Sequence, residues 1–312
     1  MSTQGGTRAV VAALAANAFI AVTKFVAWGL TGAASMLAEA VHSVADTGNQ
    51  LLLLRGGAAA KQQATDEHPF GFGRARFISA FLVSVILFSL GGLFALYEAY
   101  HKVEEVIAGH PNELLASQWW WVPVAVLMLA IVAEGFSFRT AIRESARTKG
   151  RQSWLRFIQT AKAPELPVIL LEDFAALLGL TFALIGVGMT LVTRNPIWDA
   201  VGTGLIGVLL IAVAVTLALE TRSLLLGESA TPESSRRITA ALAGADGVGR
   251  VIHLKTLHLG PDEILVAAKI AVEPTDSAAR VAEIIDNAEA AIRAAEPMVT
   301  ALYLEPDIDR DL

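Results

Sequence analysis

Six long apolar runs dominate the first 227 residues of this 312-residue chain. A run of 18 or more residues with almost no charge is typical of a membrane-spanning helix, since about 20 residues at 1.5 Å rise cross a bilayer core of roughly 30 Å. The runs predict spans at residues 9–30, 33–54, 77–97, 119–138, 167–190 and 197–219. This pattern excludes a purely soluble enzyme.

The basic residues between the runs predict an orientation. The connections 55–76 and 139–164 together contain eleven Lys and Arg residues, whereas the connections on the other side contain only Lys102 and Arg194. Because basic loops stay in the cytoplasm, both termini are expected there. Short loops and a composition rich in Ala, Gly and Val but poor in Lys favour the plasma membrane of a bacterium.

The composition changes after Arg222. Residues 228–312 contain 15 of the 30 acidic and 8 of the 24 basic residues. Hydrophobic periodicity and turn residues predict a helix, two strands, a helix and a last strand, at 234–243, 250–259, 263–272, 276–296 and 299–304, with Pro306 ending the last strand. The order αββαβ is typical of a small ferredoxin-like α+β domain.

The expected fold class is therefore an all-α membrane protein, a six-helix transmembrane bundle at 1–227, followed by a small cytoplasmic α+β ferredoxin-like domain at 228–312. Because a domain of this size buries only a modest core, a homodimer is expected. The chain has no cysteine, which excludes disulfide bonds and thiolate metal sites.

Ionisable residues inside the predicted spans indicate a functional site, because each costs a few kcal/mol unless it is paired or lines a wet cavity. In the second span, Glu39, His42, Asp46 and Asn49 are spaced by three, four and three residues and share one helical face. The fifth span contains Glu172 and Asp173.

The carboxylates of the two spans lie at matching depths. Asp46 precedes Arg55 by nine residues and Asp173 follows Glu165 by eight, which places both roughly 12–14 Å inside the cytoplasmic end. If the two spans are neighbours, these groups and His42 converge. Nitrogen and oxygen ligands without thiolate suit Zn²⁺, and also Mn²⁺, Fe²⁺, Co²⁺ or Ni²⁺.

A structural interpretation competes with this one, since polar side chains also join membrane helices by hydrogen bonds. It is the expected role of Asn49. Lys24, in the first span, is expected to form a salt bridge or to extend to the membrane surface. Asp199 follows Pro196 at a helix start, where a carboxylate caps the helix and opposes its dipole.

Four segments resemble the cation diffusion facilitator family, on its zinc-transporter branch. They are LAEAVHSVADTGNQ at 37–50, HPFGFGRARF at 68–77, LLEDFAALLG at 170–179 and the ferredoxin-like tail. The resemblance implies a homodimer that exchanges divalent metal for protons. It also implies that His42 and Asp46 are the metal ligands of the second span and Asp173 a ligand of the fifth.

The chain departs from the family pattern at several positions. Ile169 stands four residues before Asp173, where many members have histidine, so Glu172 or water is the expected substitute ligand although Glu172 lies about 100° round the helix. His68 fits a family metal position, but Phe72 replaces its usual partner, which favours a helix-entry turn. His253 and His258 are expected on opposite faces of a strand, as ordinary histidines.

The expected function is secondary active efflux of a divalent cation, with Zn²⁺ first among the candidates, in exchange for protons by alternating access. The alternative is a transport-incompetent relative that serves as a partner or regulatory subunit, as Ile169 suggests. The sequence contains no HExxH, GxSxG or GxxxxGK[ST] motif, so an enzyme or an ATP-driven pump is not expected. The expected partners are the transported ion, protons and the bilayer; neither a prosthetic group nor nucleic acid is expected.

Overall fold

Long helices form the N-terminal part of the protein, because a chain in hydrocarbon must satisfy its backbone hydrogen bonds within each segment. A computed structural model describes the backbone of residues 3–308 and the side chains of residues 17–308; the last four residues of the predicted C-terminal domain lie outside this range. The first helices are α1 (Thr3–Thr31), α2 (Ala34–Ala59) and α3 (Ala75–Ile86), which continues through a π-helical segment (Leu87–Leu93) into α4 (Phe94–Ile107).

Two short helices lie in the connections that follow. They are α5 (Glu113–Ala116), which Asn112 caps, and α7 (Trp154–Thr160), which Ser153 caps. Between and after them run the long helices α6 (Trp121–Lys149), α8 (Glu165–Thr193) and α9 (Ile197–Leu226).

The six long helical segments lie where the sequence predicts spans. Within the described residues, four of them are long and apolar enough to cross a membrane: 75–107, 121–149, 165–193 and 197–226. Helices α1 and α2 have 29 and 26 residues, enough to cross a bilayer core by length, and their assignment as spans stays a prediction.

The third predicted span is not a uniform α-helix. Its π-helical turn contains Gly91 and Gly92, which approach α9 closely. A Cβ on Gly92 would stand 2.5 Å from the Ile211 side chain, and one on Gly207 would stand 3.0 Å from the Gly92 carbonyl oxygen. The glycines therefore allow the two helices to meet backbone to backbone.

The C-terminal domain follows the predicted order αββαβ. Its elements are α10 (Pro232–Ala243), β1 (Arg250–Gly260), β2 (Glu263–Ala271), α11 (Ala278–Ala295) and β3 (Val299–Asp307). The sheet has the order β1-β2-β3, with β1 antiparallel and β3 parallel to β2. Buried apolar residues of α10, β2, α11 and β3 form one core. The predicted fold class, a helical membrane part followed by a small α+β domain, is confirmed.

The prediction that Pro306 ends the last strand is wrong. Strand β3 continues, pairing Pro306 with Ile270 and Asp307 with Ala271. Proline lacks a backbone N–H and is tolerated on an edge strand, and β3 is the edge of this sheet.

The chain divides into two compact units. One comprises residues 1–55 and 79–221, and the other comprises 56–78 and 222–312. The segment 56–78 thus joins the C-terminal domain. Within this second unit, Arg76 Nη1 lies 2.7 Å from Asp262 Oδ2, and a Cβ on Gly260 would stand 2.9 Å from the Gly73 Cα. The sequence alone did not indicate this association.

Candidate metal site

The start of α2 is fixed by a carboxylate from another helix. Asp199, in the first turn of α9, accepts hydrogen bonds from the backbone N–H of Ala34 at 2.7 Å and of Ser35 at 3.3 Å, and from the Ser35 hydroxyl. Asp199 is a capping residue as predicted, but the N–H groups that it caps belong to α2 rather than to its own helix. This contact sets the position of the helix that holds His42 and Asp46.

The polar face of α2 points into the protein. Glu39, His42 and Asn49 are buried, and the Asp46 side chain is 15% exposed. His42 Nδ1 lies 3.5 Å from Asp46 Oδ1, beyond the usual length of a hydrogen bond. The two side chains are thus adjacent, with a gap between their polar atoms.

Helix α8 contributes Glu172 to the same place. Its Oε1 accepts a hydrogen bond from Asn49 Nδ2 at 2.6 Å, and its carboxyl group interacts electrostatically with that of Asp46. Seven residues later, a Cβ on Gly179 would stand 2.8 Å from Glu39 Oε1. Since Glu39 is seven residues before Asp46, the facing sides of α2 and α8 run antiparallel over two turns, as the predicted convergence requires.

Asp173 points elsewhere. Its Oδ2 accepts a hydrogen bond from the Ser137 hydroxyl of α6 at 2.9 Å, and the carboxylate of Glu134 on α6 interacts with it electrostatically. Adjacent helical residues point about 100° apart, so only one of Glu172 and Asp173 can face α2 in this conformation. The structure therefore places His42 beside Asp46 and Glu172 on the side facing Asp46, and it places Asp173 against α6.

The spacing of the ionisable residues does not show which of Glu172 and Asp173 faces α2. The positions of the small residues on α8 do show it. Glu172 lies on a stripe of α8 that contains small residues at the following three, four and seven positions, Ala175, Ala176 and Gly179, all of them buried. Small residues mark the face on which membrane helices approach one another. Glu172, on this stripe, therefore faces the interior of the bundle.

Several polar atoms of this site lack hydrogen-bond partners among the described residues: Glu39 Oε1, both ring nitrogens of His42, Asp46 Oδ1 and Asn49 Oδ1. Buried polar atoms are normally paired, so their number here indicates a place for a polar or charged occupant. Among residues 17–308, however, no three His, Asp or Glu side chains are arranged close enough to hold a metal ion together. The ligand set is incomplete in this conformation.

Lys24 of α1 forms a salt bridge, which is one of the two roles expected for it; the other was extension to the membrane surface. Its Nζ lies 2.9 Å from Glu39 Oε2 and donates to the Ser43 hydroxyl at 2.7 Å. The Lys24 side chain is 2% exposed and that of Glu39 is fully buried.

The other candidate ligands lie apart from one another. His68 is exposed, and its ring packs on Phe72 with the centroids 4.6 Å apart, in a turn before α3. His253 is exposed and His258 is buried with its Nδ1 3.2 Å from the Gly260 carbonyl oxygen, consistent with opposite faces of β1.

Membrane-length helices that enclose buried imidazole and carboxyl groups are typical of integral membrane transporters. The chain belongs to the cation efflux family: the family model described as cation efflux transmembrane domain matches residues 10–226. This confirms the family that the sequence motifs indicate.

Relatives with described activities come from several kingdoms. The human mitochondrial proton-coupled zinc antiporter SLC30A9 is 34% identical over 86% of this chain and 46% of its own length. Metal tolerance protein C4 of Arabidopsis thaliana is 27% identical, over 86% and 57%. The cation-efflux pump FieF of Pectobacterium atrosepticum is 26% identical, over 92% and 88%.

This chain spans about half the length of the first of these relatives. Among solved structures, one of the MamM C-terminal domain is 25% identical, covers 25% of this chain and 96% of its own, and gives a TM-score of 0.24.

Proposed function

We propose that the protein is a secondary active transporter that exports a divalent metal cation, Zn²⁺ first among the candidates, in exchange for protons. One observation above all supports this proposal: His42 and Asp46 lie side by side on α2 with unpartnered polar atoms, and buried Glu172 of α8 interacts with Asp46. Imidazole and carboxylate are the ligands that Zn²⁺ and its neighbours accept when thiolate is absent.

The interaction between Asp46 and Glu172 suggests how proton exchange is coupled to the cation. Two neighbouring carboxylates repel each other, and a proton on one of them removes this repulsion while no cation is bound. A divalent cation that binds both requires them deprotonated, so binding displaces that proton. When the cation is released on the other side of the membrane, a proton binds to the carboxyl pair again.

A fourth ligand is needed to complete tetrahedral coordination. Val168 and Ile169, one turn before Glu172 and Asp173, have no metal-binding atom. The ligand set is completed by water, or by Asp173 once it leaves Ser137. The second alternative makes rotation of α8 against α6 a part of the alternating access cycle.

The remaining assignments follow from charge and composition. We place both termini in the cytoplasm, with residues 1–227 as the transport domain and 228–312 as the cytoplasmic domain of a homodimer. The basic connections 55–76 and 139–164 support this orientation. The proposed membrane is the bacterial plasma membrane, on composition alone.

Flux measurements on protein reconstituted in liposomes with an imposed pH gradient test the proposal. Asp46→Asn and Glu172→Gln should each lose most Zn²⁺ flux, because each removes a charged ligand while keeping the side-chain shape. Glu144→Gln, which removes an exposed carboxylate at the end of α6, should transport like the wild type. Wild-type flux in the Asp46→Asn protein would refute the proposed site.

A second candidate function, that of a transport-incompetent partner subunit, is favoured by the incomplete ligand set. It predicts that titration calorimetry detects no metal binding beyond that of a His42→Ala/Asp46→Asn double variant. Binding that depends on these two residues excludes it.

A further inference from the structure

A second metal-binding spacing lies on the same face of α2. Glu39 and His42 form a Glu-x-x-His pair, and side chains three residues apart on a helix project side by side. This pair is the ligand spacing used in the metal centres of helical bundles. His42 thus belongs to two overlapping pairs, with Asp46 on one side and with Glu39 on the other.

Glu39 has an oxygen atom that is available to bind a metal ion. Its side chain is fully buried, one oxygen is bound to Lys24, and the other has no hydrogen-bond partner among the described residues. Gly179 of α8 leaves room beside that free oxygen, since a Cβ there would stand only 2.8 Å from it. Both nitrogens of the adjacent His42 are also unpartnered within the described range.

Lys24 supplies the positive charge that a buried Glu39 requires. A carboxylate in the bundle needs a cation, and here the ammonium group of Lys24 stands 2.9 Å away. The lysine side chain is a point charge on a flexible four-carbon stem. An arriving divalent cation can therefore take its place without movement of the backbone.

We propose that Glu39 and His42 form a second divalent-cation position, which Lys24 occupies with its own charge whenever the cation is absent. The position rests on the proposed transport function and extends it: the cation passes from Asp46 to Glu39 with His42 as the shared ligand. Glu39 lies seven residues from Asp46, roughly 10 Å further from the cytoplasmic end of α2. Water completes the coordination of the cation.

The competing explanation is a purely structural ion pair between α1 and α2. The two explanations differ in what happens when both charges are removed together. Replacing a buried ion pair by neutral side chains of similar size is often neutral or stabilising, so Lys24→Met/Glu39→Gln should remain folded. If the pair is only structural, this double variant transports normally.

The experiment compares the wild type, Lys24→Met and the Lys24→Met/Glu39→Gln double variant by Zn²⁺ titration calorimetry and by flux in liposomes. In Lys24→Met the freed Glu39 carboxylate should tighten Zn²⁺ binding, and this gain should be absent from the double variant. The double variant should keep the wild-type affinity for Zn²⁺ but lose about tenfold or more of the flux, the size of effect typical of altered metal environments.

Wild-type flux in the double variant would overturn the proposal, as would a Lys24→Met protein that folds and binds Zn²⁺ no more tightly than the double variant. If Lys24→Met does not fold, the double variant alone decides. If the proposed transport function is wrong, the wild type itself shows no proton-linked Zn²⁺ flux. This outcome differs from failure of the second position, in which the wild type and the double variant show equal flux.

Discussion

Substitution of Asp199 by alanine should loosen the start of α2. The carboxylate accepts hydrogen bonds from the backbone N–H groups of Ala34 and Ser35 and from the Ser35 hydroxyl, and all three residues are buried. In Asp199→Ala the two N–H groups have no replacement acceptor from this side chain, and water has no access to them.

The loss of stability in Asp199→Ala can be estimated from the hydrogen-bond donors that lose their acceptor. A buried donor that loses its partner costs about 1–3 kcal/mol, while the hydroxyl can rotate to another acceptor, so the two amides together cost on the order of 4 kcal/mol. This is a large part of the typical stability of a folded protein, about 5–15 kcal/mol. Asp199→Asn keeps one acceptor oxygen but leaves one of the two N–H groups without a partner, so it should cost about 2 kcal/mol.

Tryptophan fluorescence on heating measures this loss, because all six tryptophans lie in the N-terminal 227 residues and Trp198 adjoins Asp199. The apparent Tm of Asp199→Ala should fall by on the order of 10 °C. Hydrogen exchange of the amides at 34–37 should accelerate, whereas Glu144→Ala should change neither quantity. Unchanged exchange at 34–37 in Asp199→Ala would show that the cap does not hold α2.

Two further predictions concern the C-terminal unit of the full-length protein, read by pulse proteolysis in urea. Gly260→Ala should destabilise this unit by about 1–3 kcal/mol, because the new methyl group meets the Gly73 backbone at 2.9 Å. Gly57→Ala, with no atom within 4 Å, should not; equal stability of the two variants contradicts the close approach. Burial alone would raise the pKa of the Glu296 carboxyl, but hydrogen bonds from Ser234 and Arg237 and the Arg237 charge outweigh it, so its pKa lies below its ordinary value. A depressed folded-state pKa stabilises the fold above the ordinary pKa and ceases to do so as pH falls through the depressed value. Wild type should therefore lose more stability than Glu296→Gln between pH 7 and pH 3, and parallel pH profiles of the two proteins contradict this.

The positions of the long helices could be predicted because a bilayer imposes length and apolarity on each segment separately. The order αββαβ could be predicted for a similar reason, since each element of the C-terminal domain has its own periodicity and turn residues. Pro306 shows the limit of this reasoning: whether proline ends a strand depends on the place of that strand in the sheet, which pairing with β2 decides.

The residue types of the candidate site can be read from the sequence, but their arrangement cannot. The spacing of His42 and Asp46 is local and could be read from one helix. Whether Glu172 or Asp173 faces them depends on how α8 is rotated between α2 and α6, which is decided by contacts such as that of Ser137 with Asp173. The capping of α2 by Asp199 joins residues 165 positions apart and has no local sequence signal.

The association of the segment 56–78 with the C-terminal domain has a practical consequence for work on fragments. A soluble fragment that begins after Arg222 lacks Gly73 and Arg76, so it leaves bare the turn at Gly260 and loses the ion partner of Asp262. Such a fragment displays to solvent a surface that the intact chain covers. Self-association or ligand binding at this surface of the fragment can therefore result from the removal of residues 56–78. Adding back a peptide of residues 56–78 should abolish such an artefact and should leave a genuine property of the domain unchanged.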